Sequence, residues 1–198
     1  MKKIVLILSL CLGLVACSSQ PKTVKALTNY LEVWKSGKEL DFKIYFVGDY
    51  EVLAYAPYSL NEASVAALAP HFMEALHSAT YKLGKPDGDN LTVAIPIQIT
   101  TIDGEALYTA FNERYEAELV PLFQTDITQE KLFEAYYTLL DEVTQTITTT
   151  KTITRIVYLT NNVGTWKIAI GEDDYDLLDA ISGGFFGCLN QSSYCGAE

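Results

Sequence analysis

Apolar and polar positions follow three different rhythms along this chain. Residues 4–16 form a mostly apolar run behind Lys2 and Lys3. After the polar stretch 18–22, Val24, Leu27, Leu31 and Trp34 recur at helical spacing and stop at Gly37, which predicts a first helix with Thr23 as its N-cap. Residues 40–58 are crowded with aromatics (Phe42, Tyr45, Phe46, Tyr50, Tyr55, Tyr58) in no clean period, so short helical turns or irregular chain are expected there. Val65, Leu68, Phe72, Met73 and Leu76 then predict a second helix over 61–78, which Pro70 bends or restarts.

From Ala79 the period changes to two. Tyr81 and Leu83 start a strand, the residues Pro86, Asp87, Gly88 and Asp89 are turn-forming, and Leu91, Val93, Ile95, Ile97 and Ile99 alternate with smaller or polar residues. This is the pattern of a hairpin. Pro96 has no amide hydrogen, so its strand is expected at a sheet edge or with a bulge. Beyond Asp103 and Gly104 a helix is expected over 105–123 on Leu107, Ala110, Phe111, Tyr115 and Leu119. Another follows, capped by Asp126 with Gln129, whose apolar face is Leu132, Tyr136, Leu139, Leu140 and Val143. Residues 147–160 are β-branched; Thr148, Thr150, Thr152 and Thr154 would share a wet face while Ile153, Val157 and Leu159 fill the other. The turn from Asn161 to Gly164 leads into a strand with Trp166, Ile168 and Ile170, making a second hairpin. Tyr175, Leu178 and Ile181 suggest a short last helix ending at Gly183 and Gly184.

The opening run is too short for a bilayer-spanning helix, which needs roughly 20 residues. It has the charge, length and small residues before Cys17 of a cleavable export segment. Removing residues 1–16 from 198 leaves 182, which suits one domain with one core. It also removes Lys2 and Lys3, so 12 Lys and Arg face 25 Asp and Glu and the net charge goes from -11 to -13. Such a body as a whole repels phosphate backbones and anionic headgroups, and nucleic acid is not an expected partner. The expected organisation is signal 1–16, tether 17–22, a single domain 23–185 and a tail 186–198.

Of the four cysteines, Cys11 leaves with the signal. Cys188 and Cys195 bracket six residues; in an oxidising compartment they can pair, closing a small loop that would stabilise by on the order of 2.5 kcal/mol, and two free thiols are the alternative.

The segment from Lys2 to Cys17, with Leu14, Val15 and Ala16 before the cysteine, resembles the signal of bacterial lipoproteins. That resemblance implies a diacylglycerol-modified Cys17 and anchorage to the cell membrane or outer membrane on the extracytoplasmic side. The alternative is an ordinary secretory signal cut nearby, leaving Cys17 as a thiol. The order of elements, with its clearest signals over 91–103 and 164–170, is similar to the α+β cone fold of the nuclear transport factor 2 superfamily. This resemblance implies a curved antiparallel sheet of about four strands, wrapped by N-terminal and central helices around a pocket, and often a homodimer formed through the sheet.

Candidate chemistry is sparse. His71, Glu74 and His77 share a helix, but the two histidines stand about 120° apart around its axis, unlike a zinc pair at i and i+4. Glu172, Asp173 and Asp174 precede the last helix, where negative charge favours its N-terminus. No calcium loop, phosphate cradle or nucleophile elbow is present, so no catalytic residue, metal or cofactor is expected. Trp34, Tyr45, Phe46 and Tyr136 are the candidate pocket lining. The function that follows is a lipid-anchored, non-enzymatic module for a small apolar ligand or an envelope partner; the alternatives are an envelope enzyme of the same fold and a structural surface lipoprotein without a ligand.

Overall fold

The computed structural model describes residues 21–38, 41–48, 63–170 and 176–190. The signal, Cys17, the acidic run Glu172 to Asp174, Tyr175 and Cys195 lie outside the described residues. Within them the chain is α+β: α1 (Lys22–Lys35), α2 (Phe42–Tyr45), β1 (Phe46–Gly48), α3 (Ala63–Leu68), α4 (Pro70–His77), β2 (Thr80–Leu83), β3 (Asp87–Gly88), β4 (Thr92–Ile102), α5 (Gly104–Arg114), α6 (Gln129–Thr144), β5 (Thr150–Asn162), β6 (Thr165–Ile170), α7 (Asp176–Ile181) and α8 (Phe185–Asn190). A π-helical turn over Tyr115–Leu119 and a 3-10 turn over Val120–Gln124, the latter opened by Pro121, extend α5. The helical stretch expected to Phe123 is therefore continuous but changes pitch.

The sheet has six described strands in the order β1-β6-β5-β4-β2, with β3 also pairing β4; the expected four are too few. Both hairpins form, and each contributes one strand to a pairing the periodicity does not reveal. All eleven residues of β4 pair with β5, from Thr92 opposite Thr160 to Ile102 opposite Thr150. The intervening α5 and α6 bring the chain back so that Asp103 N donates to Thr149 O at 3.0 Å. At the other side, β1 adds parallel to β6, with Phe46 opposite Ile168. That strand comes from the aromatic segment with no clean period.

Alternation then sorts the two faces. Val93, Ile95, Ile97 and Ile99 of β4 and Ile153, Val157 and Leu159 of β5 are buried together with Leu27 and Leu31 of α1, Phe72 and Leu76 of α4 and Phe185 of α8. The opposite face carries Gln98, Thr152 and Thr154 with the exposed Ile156 and Tyr158, and Thr100 Oγ1 meets Thr152 Oγ1 at 2.7 Å. The threonine ladder is indeed the wet side of a half-buried sheet.

Pro96 departs from expectation: its strand lies inside the sheet, without being an edge. Its carbonyl accepts from Gly84 N at 2.7 Å. In an antiparallel strand a residue's N and C=O point to the same side. The missing donor therefore faces the gap between β2 and β3, where no ladder bond is required. Gly84 sits flat against the ring, since a Cβ there would lie 2.9 Å from Pro96 Cβ.

Two expected caps also move. The first helix starts at Lys22 with Pro21 at the cap position, and Thr23 is buried in the first turn. In α6 the cap is Thr128, which accepts from Lys131 N, instead of Asp126. Pro70 restarts the second helix as anticipated, occupying its first position after Ala69. The segment expected as a tail from 186 begins inside the core: α8 packs on α5, and Phe186 and Cys188 are buried.

At the tip of the β5–β6 hairpin, Val163 and Gly164 both have positive φ, 51° and 86°. This is the backbone of a tight hairpin turn, for which a β-branched residue is poorly suited. Val163→Asn is expected to raise stability by about 0.5–1 kcal/mol, because asparagine tolerates the left-handed region. The check is a higher urea midpoint with an unchanged slope.

Candidate functional site

Of the four candidate lining residues, Tyr45 and Phe46 both pack on the Tyr30 ring, one turn of α1 before Trp34, while Tyr136 lies in a different aromatic group. Trp34 and Phe46 are core residues: Phe46 stacks edge-on against Tyr30 at 4.9 Å, and Trp34 is 2 % exposed and meets the His77 ring at 5.6 Å. Tyr136 belongs to another aromatic group, with Phe111 at 5.0 Å and Tyr137 at 5.2 Å. Burial, then the neighbouring tyrosines 137, 115 and 108, pushes its hydroxyl well above the ordinary phenol range. Tyr45 borders an open groove, and Phe46 borders a much smaller cleft with Ile156, Tyr158 and Ile168.

That groove has a volume of about 290 Å³ and lies where α1, α2 and the β5–β6 hairpin converge. Its polar lining is Lys22, Lys25 and Asn29 of α1, Tyr45, Thr165 and Trp166. The positions follow from local rules. Lys22, Lys25 and Asn29 are on the outer side of α1, opposite the stripe Leu27, Leu31 and Trp34 that packs inward. Trp166 is brought alongside by the β5–β6 register, opposite Asn161. Among the described residues the lining contains no carboxylate, imidazole or thiol, so they offer no carboxylate- or imidazole-based acid–base pair and no thiol nucleophile. It does offer two ammonium groups, an amide and two amphipathic rings, a set that complements an anion carrying an apolar part.

The two histidines have other employment. Asp141 of α6 is buried and serves the start of α4: its Oδ1 accepts from His71 N at 2.6 Å and Phe72 N at 3.3 Å, and its Oδ2 meets His71 Nδ1 at 2.8 Å. Ala69 cannot cap that helix, so a carboxylate 70 residues further along the chain does. His77 is half-buried against Trp34 and Gly37, and desolvation holds its imidazole below the usual range. The two rings thus face different neighbours, as their angular separation predicts. Among the described residues no three His, Cys, Asp or Glu side chains gather as a metal site.

Sequence reasoning missed Asp141 and a second polar link, Arg155 to Asp179 at 3.0 Å, in which Asp179 also accepts from Gly187 N at 2.7 Å. A usable signal existed for Asp141. A helix opening on Ala69 and Pro70 has no local cap, which demands an acceptor from elsewhere, and Asp141 is an acid beside an apolar stripe. Cys188 is disulfide-bonded, and its partner lies outside the described residues.

No family model and no curated protein matches this chain. A solved structure that resembles it is ycdA of Bacillus subtilis subsp. subtilis str. 168, provisionally described as a lipoprotein, at 13% identity and a TM-score of 0.44. The match covers 82% of this chain and 55% of that one, so this chain spans about half of that protein's length. At that level the likeness assigns neither fold nor function. No helix among the described residues is long and apolar enough to cross a membrane.

Proposed function

We propose that this chain is a lipid-anchored extracytoplasmic protein whose acidic α+β domain acts as a non-enzymatic binding or interaction module. The observation that carries the reading is the opening sequence: two lysines, thirteen mostly apolar residues and small residues directly before Cys17. Two acyl chains on Cys17 would give stable anchorage where one is marginal. The groove supports a binding role over an enzymatic one, because its described lining is cationic and aromatic and pairs no carboxylate or imidazole with a nucleophile. Its chemistry shifts the expected ligand from a purely apolar molecule to an anionic amphiphile. A disulfide between Cys188 and Cys195 and self-association through the open sheet face belong to the same reading.

Growth with an alkyne-bearing palmitate is expected to label the wild-type protein, and Cys17→Ser to abolish the label and leave an uncleaved precursor. An unlabelled wild-type protein cleaved near residue 17 would show an ordinary secretory signal and overturn the anchor.

A further inference from the structure

We propose that the end of the sheet bearing the groove is the membrane-docking face of the domain, and that its partner is an anionic phospholipid surface. The inference rests on the anchor reading above and gives it a geometry.

Three of the most exposed large apolar side chains gather at this end. Val163 at the hairpin tip is 98 % exposed, Leu91 68 % and Ile44 58 %. The pairings place them in one neighbourhood: Leu91 O accepts from Asn161 N at 2.8 Å, Asn161 is opposite Trp166, and Ile44 borders the groove with Trp166. Lysines surround the same spot. Lys22 and Lys25 line the groove, Lys43 precedes Ile44, and the Lys167 ammonium, next to Trp166, donates to Lys43 O. Among the described residues the carboxylates nearest this rim are Asp41, which accepts from Lys43 N, and Asp87 and Asp89 beside Leu91, of which Asp89 accepts from Leu91 N and Thr92 N; all three stay outside the groove lining. The described lining of the groove itself holds two lysines and no carboxylate, a local reversal of sign in a chain of net charge -11. Folding does not favour it: Lys22 and Lys25 stand in the first turn of α1, where the helix dipole opposes cations, and that turn holds no acid.

Chain length selects the occupant. Cys17 precedes Pro21 by four residues, at most about 14 Å of extended backbone, whereas a domain of this size has a radius of gyration of about 16 Å. A domain so closely tethered must rest on the bilayer with the surface around its first helical turn. That surface is the lysine groove with its apolar rim. Cations beside anionic headgroups, exposed aliphatic side chains at the acyl boundary and an indole between them are the features of an interfacial contact.

The chain's two tryptophans make the test internal, since Trp34 is buried in the core and Trp166 lines the groove. The processed, full-length protein is reconstituted in phosphatidylcholine vesicles with and without phosphatidylglycerol, each holding a headgroup nitroxide-labelled lipid, and its acylation is read by intact mass. Phosphatidylglycerol is expected to increase the quenched part of the emission about two-fold, from Trp166, and added salt to reverse this. Lys22→Glu with Lys25→Glu should abolish the increment while the Trp34 emission stays constant, reporting an intact core. Acylated protein whose quenching ignores phosphatidylglycerol, or follows protein density as for a second copy, overturns the docking face and leaves the anchor standing. Unacylated protein overturns both.

Discussion

Gly183→Ala is expected to lower stability by more than about 4 kcal/mol and the melting temperature by roughly 8–16 °C. Gly183 has φ +67°, and a Cβ there would collide with the Ile102 carbonyl oxygen and lie 2.9 Å from Gly104 N. Gly104 is its counterpart: a Cβ on it would run into Ser182 O and Phe185 N. The two backbones touch, and Gly104 N donates to Gly183 O at 3.0 Å. Through this contact the turn between α7 and α8 sits on the junction of β4 with α5, and Phe185 and Phe186 enter the core just behind it. Alanine adds more than an unfavourable φ, because its methyl group has only backbone to push against. Gly164→Ala separates the two effects, since Gly164 also has positive φ, +86°, but nothing within 4 Å of its missing Cβ. That control should lose only about 1–2 kcal/mol. Equal losses in the two variants, measured by thermal and urea unfolding, would remove the interlock from this account.

Asp141→Ala should cost about 3 kcal/mol. The carboxylate is buried and satisfies two amides at the start of α4 as well as the His71 ring, so its loss leaves the part-buried His71 N and the buried Phe72 N without that acceptor. Typical caps contribute about 1 kcal/mol; the larger figure reflects burial. His71→Ala should cost no more than about 1 kcal/mol, because that side chain is half-exposed and its backbone amide keeps Asp141. A midpoint for Asp141→Ala no lower than that for His71→Ala would show that the ring, and not the helix start, is what Asp141 supports. Asp141→Asn should fall between them, retaining an acceptor oxygen without the charge.

These two positions also show where sequence reasoning stops. Asp141 and Ala69, or Gly104 and Gly183, are about 70 or more residues apart, and nothing in their local patterns refers one to the other. The same holds for the lysine end of the sheet. Lys22 and Lys25 read as ordinary solvated positions of an amphipathic helix, and Val163 as part of a turn. Only the β5–β6 register and the packing of α1 on β6 bring them beside Leu91 and Ile44. The candidate pocket residues show the complementary limit. Trp34, Phe46 and Tyr136 are apolar-face residues, and period alone cannot tell a residue that lines a cavity from one that fills the core.

What the sequence determines by itself is everything that depends on neighbours a few residues apart. The α+β class, both hairpins, the restart at Pro70, the stop at Gly37 and the inward faces of β4 and β5 are legible because helical and strand periods act within one element. The proposed export segment is read from linear chain alone and draws on no tertiary contact. Tertiary structure decides the β4–β5 pairing, the parallel addition of β1, the remote cap on α4 and the gathering of lysines at one end. Those depend on which surfaces meet after the chain has turned back on itself, and contacts of that kind leave no period in the sequence.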